Sequence, residues 1–131
     1  MAFINIDNLE NVSELETAPE GTYDLMVSKV EEKEDKNGKA YLMFTLEFLD
    51  HPEYYSIRHF MFLPSEEDDA RRRQSTMVNI KRFLTMAGLG VTNNFDPQEL
   101  LGCTLSNAMV TQTEPNDQGQ VFNNLVLRKF S

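Results

Sequence analysis

Two kinds of side chain in this 131-residue chain could do chemistry, and only one kind is spaced to do it. Catalysis and metal binding need groups that converge. Glu66, Glu67, Asp68 and Asp69 are four consecutive carboxylates, but consecutive helical positions point around the axis, and helix capping accounts for them. His51 and His59 flank a loop with no partner at ligand spacing, and Cys103 follows a glycine with no identifiable base. The chain contains no phosphate-binding loop, dinucleotide fingerprint or nucleophile elbow. A non-enzyme without metal or cofactor is therefore expected. The second kind are flat and cationic side chains. Tyr41 and Met43 precede Tyr54, Tyr55, Arg58 and Phe60, while Lys36 and Lys39 border a turn and Arg71 and Arg72 follow. Such a set suits a single strand of nucleic acid, which needs cations for phosphates and flat faces for unstacked bases, each stacked base contributing roughly 1–3 kcal/mol.

Each of these residues also has a structural reading. Phe44, Phe48 and Phe83 read as core. Phe60 shares a strand face with Phe62, and Ile57 with Met61, so the pattern leaves open which pair points inward. Tyr41, Tyr54 and Tyr55 either stack on a ligand or lie half-buried with their hydroxyls in water. The arginine run also reads as an ion-paired helix face, with Glu67 and Arg71 at i,i+4.

The elements that must hold these groups are mostly strands. Gly21 to Val30 alternates Tyr23, Leu25 and Val27 with other residues, the period of a half-buried strand. Asp35 to Lys39 forms a turn in which Asn37-Gly38 supplies positive φ. Ala40 to Leu49 returns with Leu42, Phe44, Leu46 and Phe48 on one face and Tyr41, Met43, Thr45 and Glu47 on the other. Tyr54 to Leu63 is a third strand. Ser65 is then expected to cap a helix whose first turn holds Glu66 to Asp69, with Asp68 closing a capping box and Met77, Ile80, Phe83, Leu84 and Ala87 as its apolar stripe. Asp96-Pro97 starts a single turn that ends at Gly102. Thr104 to Thr113 and Val121 to Phe130 complete the order β-β-β-α-β-β. A mainly β, five-stranded oligonucleotide-binding (OB-fold) barrel follows, with an amphipathic helix between strands 3 and 4.

Net charge is −9, which by itself argues against a polyanionic partner. Residues 1–28 hold six acids (Asp7, Glu10, Glu14, Glu16, Glu20, Asp24) and no base, which leaves 15 acids against 12 bases elsewhere. The body of the chain thus carries only −3, so a local basic groove is compatible with the acidic total. Residues 1–19 read as an acidic arm, tethered at most by Phe3, Ile4, Leu9 and Leu15, and residues 20–131 as the barrel domain. The arm could dock a replication or recombination protein, cover the groove as a polyanion mimic, or simply solubilise the chain. No apolar run reaches membrane-span length, the acidic N-terminal residues lack the basic and apolar regions expected of a secretion signal, and the single cysteine fits a reducing cytoplasm. Assembly into an oligomer is compatible with these features.

The chain resembles a family of phage-encoded, OB-fold single-stranded DNA-binding proteins, long catalogued as phage proteins of unknown function. The resemblance covers about residues 19–129 and rests on Pro19-Glu20-Gly21-Thr22-Tyr23, Val30 to Gly38, Leu42 to Glu47, Pro52-Glu53-Tyr54, Arg58-His59-Phe60, Phe83 to Leu89 and Leu100-Leu101-Gly102. It implies coating of single strands with little sequence preference, in phage DNA replication or recombination and so in the host cytoplasm. Tyr41, Tyr54, Tyr55, Arg58 and Phe60 are then the stacking and phosphate-contact candidates. One departure stands out. Many single-strand binders recruit partners through an acidic C-terminal tail, whereas this chain ends Leu127-Arg128-Lys129-Phe130-Ser131 and carries its acid at the other end. The alternative from another class is a barrel-based protein-interaction module that binds a host or phage protein without nucleic acid.

Overall fold

Alternating apolar residues make the first strand, but one inserted residue decides its geometry. β1 (Gly21–Glu34) runs four residues beyond the expected end and pairs antiparallel with β2 (Ala40–Phe48). Leu25 and Val27 point into the core with no exposed surface. Val27 then pairs with Leu46 and Lys29 with Thr45, so Ser28 is an extra residue, and its hydroxyl donates to the Thr45 carbonyl (3.3 Å). This bulge inverts the alternation. Lys29, Glu31 and Lys33 consequently ride outside with Thr45, Met43 and Tyr41, while Val30 turns inward opposite Phe44.

The turn into β2 is held by Asp35, whose carboxylate accepts the N–H groups of Asn37 (2.8 Å) and Lys39 (2.9 Å). Only Gly38 takes positive φ (81°), not Asn37, as a three-residue loop with a glycine bulge requires. β3 (Ile57–Phe62) begins three residues later than expected, because Tyr54 and Tyr55 pair with the chain before β1 instead. Its inward residues are Ile57, His59 and Met61, which leaves Arg58, Phe60 and Phe62 outside.

The helix, α1 (Ala70–Met86), also starts later. Its cap is Asp69, which accepts the Arg72 N–H (2.7 Å). Ser65 and Asp68 do bond each other's turn, Asp68 accepting from Ser65 N–H (3.0 Å), but that turn precedes the helix. The first helical turn is therefore basic rather than acidic, and Arg72 pairs with Asp68 (3.5 Å) in place of the expected Glu67–Arg71 pair. Phe83 and Leu84 are buried, Phe83 stacking on Phe44 at 4.7 Å, whereas Met77 is exposed instead of in the stripe. A 3-10 turn (Pro97–Leu100) capped by Asp96 leads into β4 (Thr104–Gln112). β5 is only Asn123–Leu125, much shorter than the expected Val121 to Phe130.

The computed structural model describes residues 2–129, so the Phe130 end of that expected strand lies outside the described residues. The five antiparallel strands lie in the order β3-β2-β1-β4-β5, and β5 comes back toward β3 to give a nearly closed, OB-like barrel. Curvature for that return comes from the Ser28 bulge and from a second irregularity in β4, where Asn107 takes positive φ (53°) and donates its N–H to Asp24 (2.9 Å). The remaining seam is stitched by residues 16–18. Glu16 N–H donates to Glu53 O (2.9 Å) and Tyr55 N–H donates to Glu16 O (2.9 Å). On the other side the Asn123 amide accepts Ala18 N–H (2.9 Å) and donates to Ala18 O (2.9 Å) and Thr111 O (3.2 Å). Ala18 is fully buried. The ordered barrel thus begins near residue 16, and the apolar residues expected to tether the arm, Phe3, Ile4, Leu9 and Leu15, are all exposed.

Two measurements test this packing. Asn123→Ala leaves the buried Ala18 N–H without its acceptor and is expected to lower the free energy of urea unfolding by about 1–3 kcal/mol; a change below about 0.5 kcal/mol contradicts the seam. His59 faces inward with its ring stacked on Phe83 (5.1 Å, 7°), and burial pushes its pKa from 6.5 down to about 4. The unfolded chain binds the proton more readily, so this stabilisation is complete above pH 6.5 and is lost as pH falls toward 4, by about 2–3 kcal/mol. His59→Phe should flatten the pH dependence of unfolding in that window relative to wild type. An unchanged slope would show His59 to be solvated.

Candidate functional site

Strand register sets the outer face of β1, β2 and β3. Residues paired directly across an antiparallel ladder point to the same side. One row is therefore Lys33, Tyr41 and Phe62, the next Glu31, Met43 and Phe60, and the third Lys29, Thr45 and Arg58. Tyr41 lies between the two phenylalanines, its ring centroid 6.0 Å from each. Phe60 is 47% exposed, Phe62 64% and Tyr55 51%, enough open ring surface to accept another flat group.

Beside this face runs a groove of about 730 Å³ between β3 and the β4–β5 connection. Tyr55, Arg58 and Phe60 form one wall, and Thr113, Val121 and Phe122 the other. Phe122 is 56% exposed. At the far end of the aromatic row a hollow of about 170 Å³ is lined by Lys39, Tyr41, Phe62, Asp68 and Arg72. Aromatic surface thus continues from Phe122 through Phe60 and Tyr41 to Phe62, with Arg58 near one end and Lys39 and Arg72 at the other.

Three cationic groupings border it. Glu31 holds Lys29 (3.0 Å) and Lys33 (3.4 Å), and the hydrogen bond from Lys29 is the largest cause holding its carboxyl below the usual range. Asp68, nearly buried, draws Arg72 (3.5 Å) and Lys39 (3.9 Å) toward the hollow, and Glu67 also approaches Lys39 (3.9 Å). Arg58 is exposed and has no ion pair among the described residues. A phosphate would therefore meet it with no carboxylate to displace.

Six of the residues expected from sequence come together here: Lys39, Tyr41, Tyr55, Arg58, Phe60 and Arg72. Four do not. Met43 lies on this face but is covered, flanked by Glu31 and Phe60 and only 8% exposed, so it is floor rather than contact. Tyr54 belongs to an aromatic cluster, edge-on to Tyr23 (6.0 Å) and Phe48 (5.3 Å) and stacked on His51 (5.1 Å), and desolvation raises its hydroxyl pKa. Lys36 stands at the exposed turn tip, and Arg71 is rotated away from Arg72 around the helix; neither lines the groove or the hollow. Lys29 and Lys33 joined the face through a bulge that alternation does not reveal. Phe62 became distinguishable from core only once β3 was oriented. Phe122 lies just before a strand of three residues, too short to leave a readable pattern.

Elsewhere, Cys103 is half-buried with its thiol directed at Glu99 O (3.6 Å), and His51 contacts Glu53 (3.0 Å) in an exposed turn. Among the described residues no helix is long and apolar enough to cross a membrane.

A family model described as a protein of unknown function, DUF669, matches residues 4–127. No curated protein matches the chain.

Tyr54 and Tyr55 give a local test of this division between packing and surface. Tyr54→Ala is expected to destabilise the fold by about 2–4 kcal/mol in urea unfolding, and Tyr55→Ala by no more than about 0.5 kcal/mol. Equal costs would mean that the two rings are not segregated as described.

Proposed function

The chain belongs to the DUF669 family, and we propose that this member is a non-catalytic single-stranded DNA-binding protein with little sequence preference. The observation that carries this reading is the outward row of Phe122, Phe60, Tyr41 and Phe62 along a groove whose wall presents the unpaired Arg58. Barrels of this architecture take extended oligomers across strands 2 and 3 and the adjoining loops, the region this row occupies. Rings stack on any base, and a phosphate is common to every nucleotide, so the expected recognition is of strand rather than sequence. The acidic total is not an obstacle, because four of the nine net negative charges lie in residues 1–19, while bases border the groove. The resemblance noted from sequence suggests phage DNA replication or recombination, in the host cytoplasm, as the setting.

Anisotropy titrations with labelled single- and double-stranded oligonucleotides at two salt concentrations test the reading. Single strands should bind more tightly, with affinity falling steeply as salt rises. Phe60→Ala and Phe122→Ala, each at an exposed ring, should weaken binding roughly 5- to 100-fold with melting temperature nearly unchanged. Arg58→Gln should lower the slope of log affinity against log salt by about 0.7. No binding at low salt would sink the proposal and favour a protein-interaction module on the same barrel.

A further inference from the structure

The arm and a second groove have matching chemistry. Ile6, Leu9, Val12 and Leu15 recur at every third residue and all are exposed, with Asp7, Glu10 and Glu14 between them. Leu9–Asn11 already forms a 3-10 turn; the same winding extended over residues 6–15 on docking would bring residues three apart onto one face and make an apolar stripe beside acid. On the barrel's helix side a groove of about 560 Å³ lies between α1 and the segment after it. Its floor includes Ile80, Leu84 and Phe95, and its exposed walls include Met77 (43%) and Val91 (47%). Arg73 and Lys81 also line it, and no acidic residue does among those described. An acidic apolar stripe and an apolar groove with cationic lining are complementary in both hydrophobicity and charge.

We infer that the arm of one copy of this chain docks in the helix groove of another. The arm leaves the barrel at Glu16, hydrogen-bonded beside Tyr55 ahead of β3, whereas the groove includes Leu63 and Pro64 after β3, roughly 25 Å along the strand. The arm residues are exposed and do not lie back across their own barrel. A second copy brings the stripe and groove together without that reversal. Donor and acceptor lie at different places on the same molecule, so the contact is head-to-tail and extends into open chains rather than closing as a symmetric dimer. Successive copies would then be linked along a bound strand. The contact needs no nucleic acid, so its test is independent of DNA binding.

Sedimentation velocity of the full chain, without oligonucleotide and over concentrations reaching about 1 mM, reads the association. Wild type should sediment faster as concentration rises. Leu9→Asp with Val12→Asp (arm) and Met77→Glu (groove) should each remain at the monomer mass of 15.1 kDa. An equal mixture of the two should form a species of twice that mass and no larger, because only one intact arm and one intact groove can meet. Thermal melts check folding, and Val91→Glu on the opposite wall repeats the groove test if Met77→Glu is unstable. A wild type that stays monomeric overturns the inference, as does wild-type association in either variant or failure of the mixture to pair.

Discussion

The barrel depends on the way residues 16–18 close its seam. β5 has only three residues and forms no ladder with β3 among the described residues, and the chain before β1 supplies backbone partners there instead. Asn123 is suited to the task because its amide both accepts and donates, meeting the N–H and C=O of the fully buried Ala18. The same three residues position the walls of the candidate groove. Glu16 O holds Tyr55 through its N–H, while Thr17 donates its hydroxyl to Val121 O (2.8 Å), next to Phe122. Closure of the fold and placement of the aromatic surface are therefore one event.

The Ser28 bulge plays the corresponding part on the other side. Without it the alternation that buries Leu25 and Val27 would also direct Lys29, Glu31 and Lys33 at the core, where unpaired charge is costly. With it, these residues become the outer column beside Thr45, Met43 and Tyr41. Glu31 then bridges two lysines instead of presenting a bare carboxylate to the ligand face. Asp68 acts similarly near the helix. It is an acid within the candidate site, yet its position draws Lys39 and Arg72 together beside Tyr41 and Phe62.

Charge is thereby sorted by location. The groove carries an open arginine, the hollow carries cations ordered around a nearly buried acid, and the acidic arm leaves the barrel at Glu16, next to Thr17 on the groove's rim. A chain of net charge −9 can in this way keep a surface compatible with phosphate while remaining strongly acidic elsewhere.

Local patterning by itself determined the β-β-β-α-β-β order, the core face of β2 and the turns at Asp35–Lys39 and Asp96–Gly102, because period, glycine and capping chemistry act within a few residues. It also singled out Lys39, Tyr41, Tyr55, Arg58, Phe60 and Arg72. Tertiary structure decided the rest. Alternation cannot show an inserted residue, so the bulge that exports Lys29 and Lys33 was invisible. A capping signal is only a few residues long, so Ser65 and Asp69 competed and Asp69 caps the helix. Exposure depends on what packs opposite: neighbouring strands cover Met43, Tyr23 and Phe48 enclose Tyr54, and Phe122 meets Phe60 across a groove formed by segments about 60 residues apart.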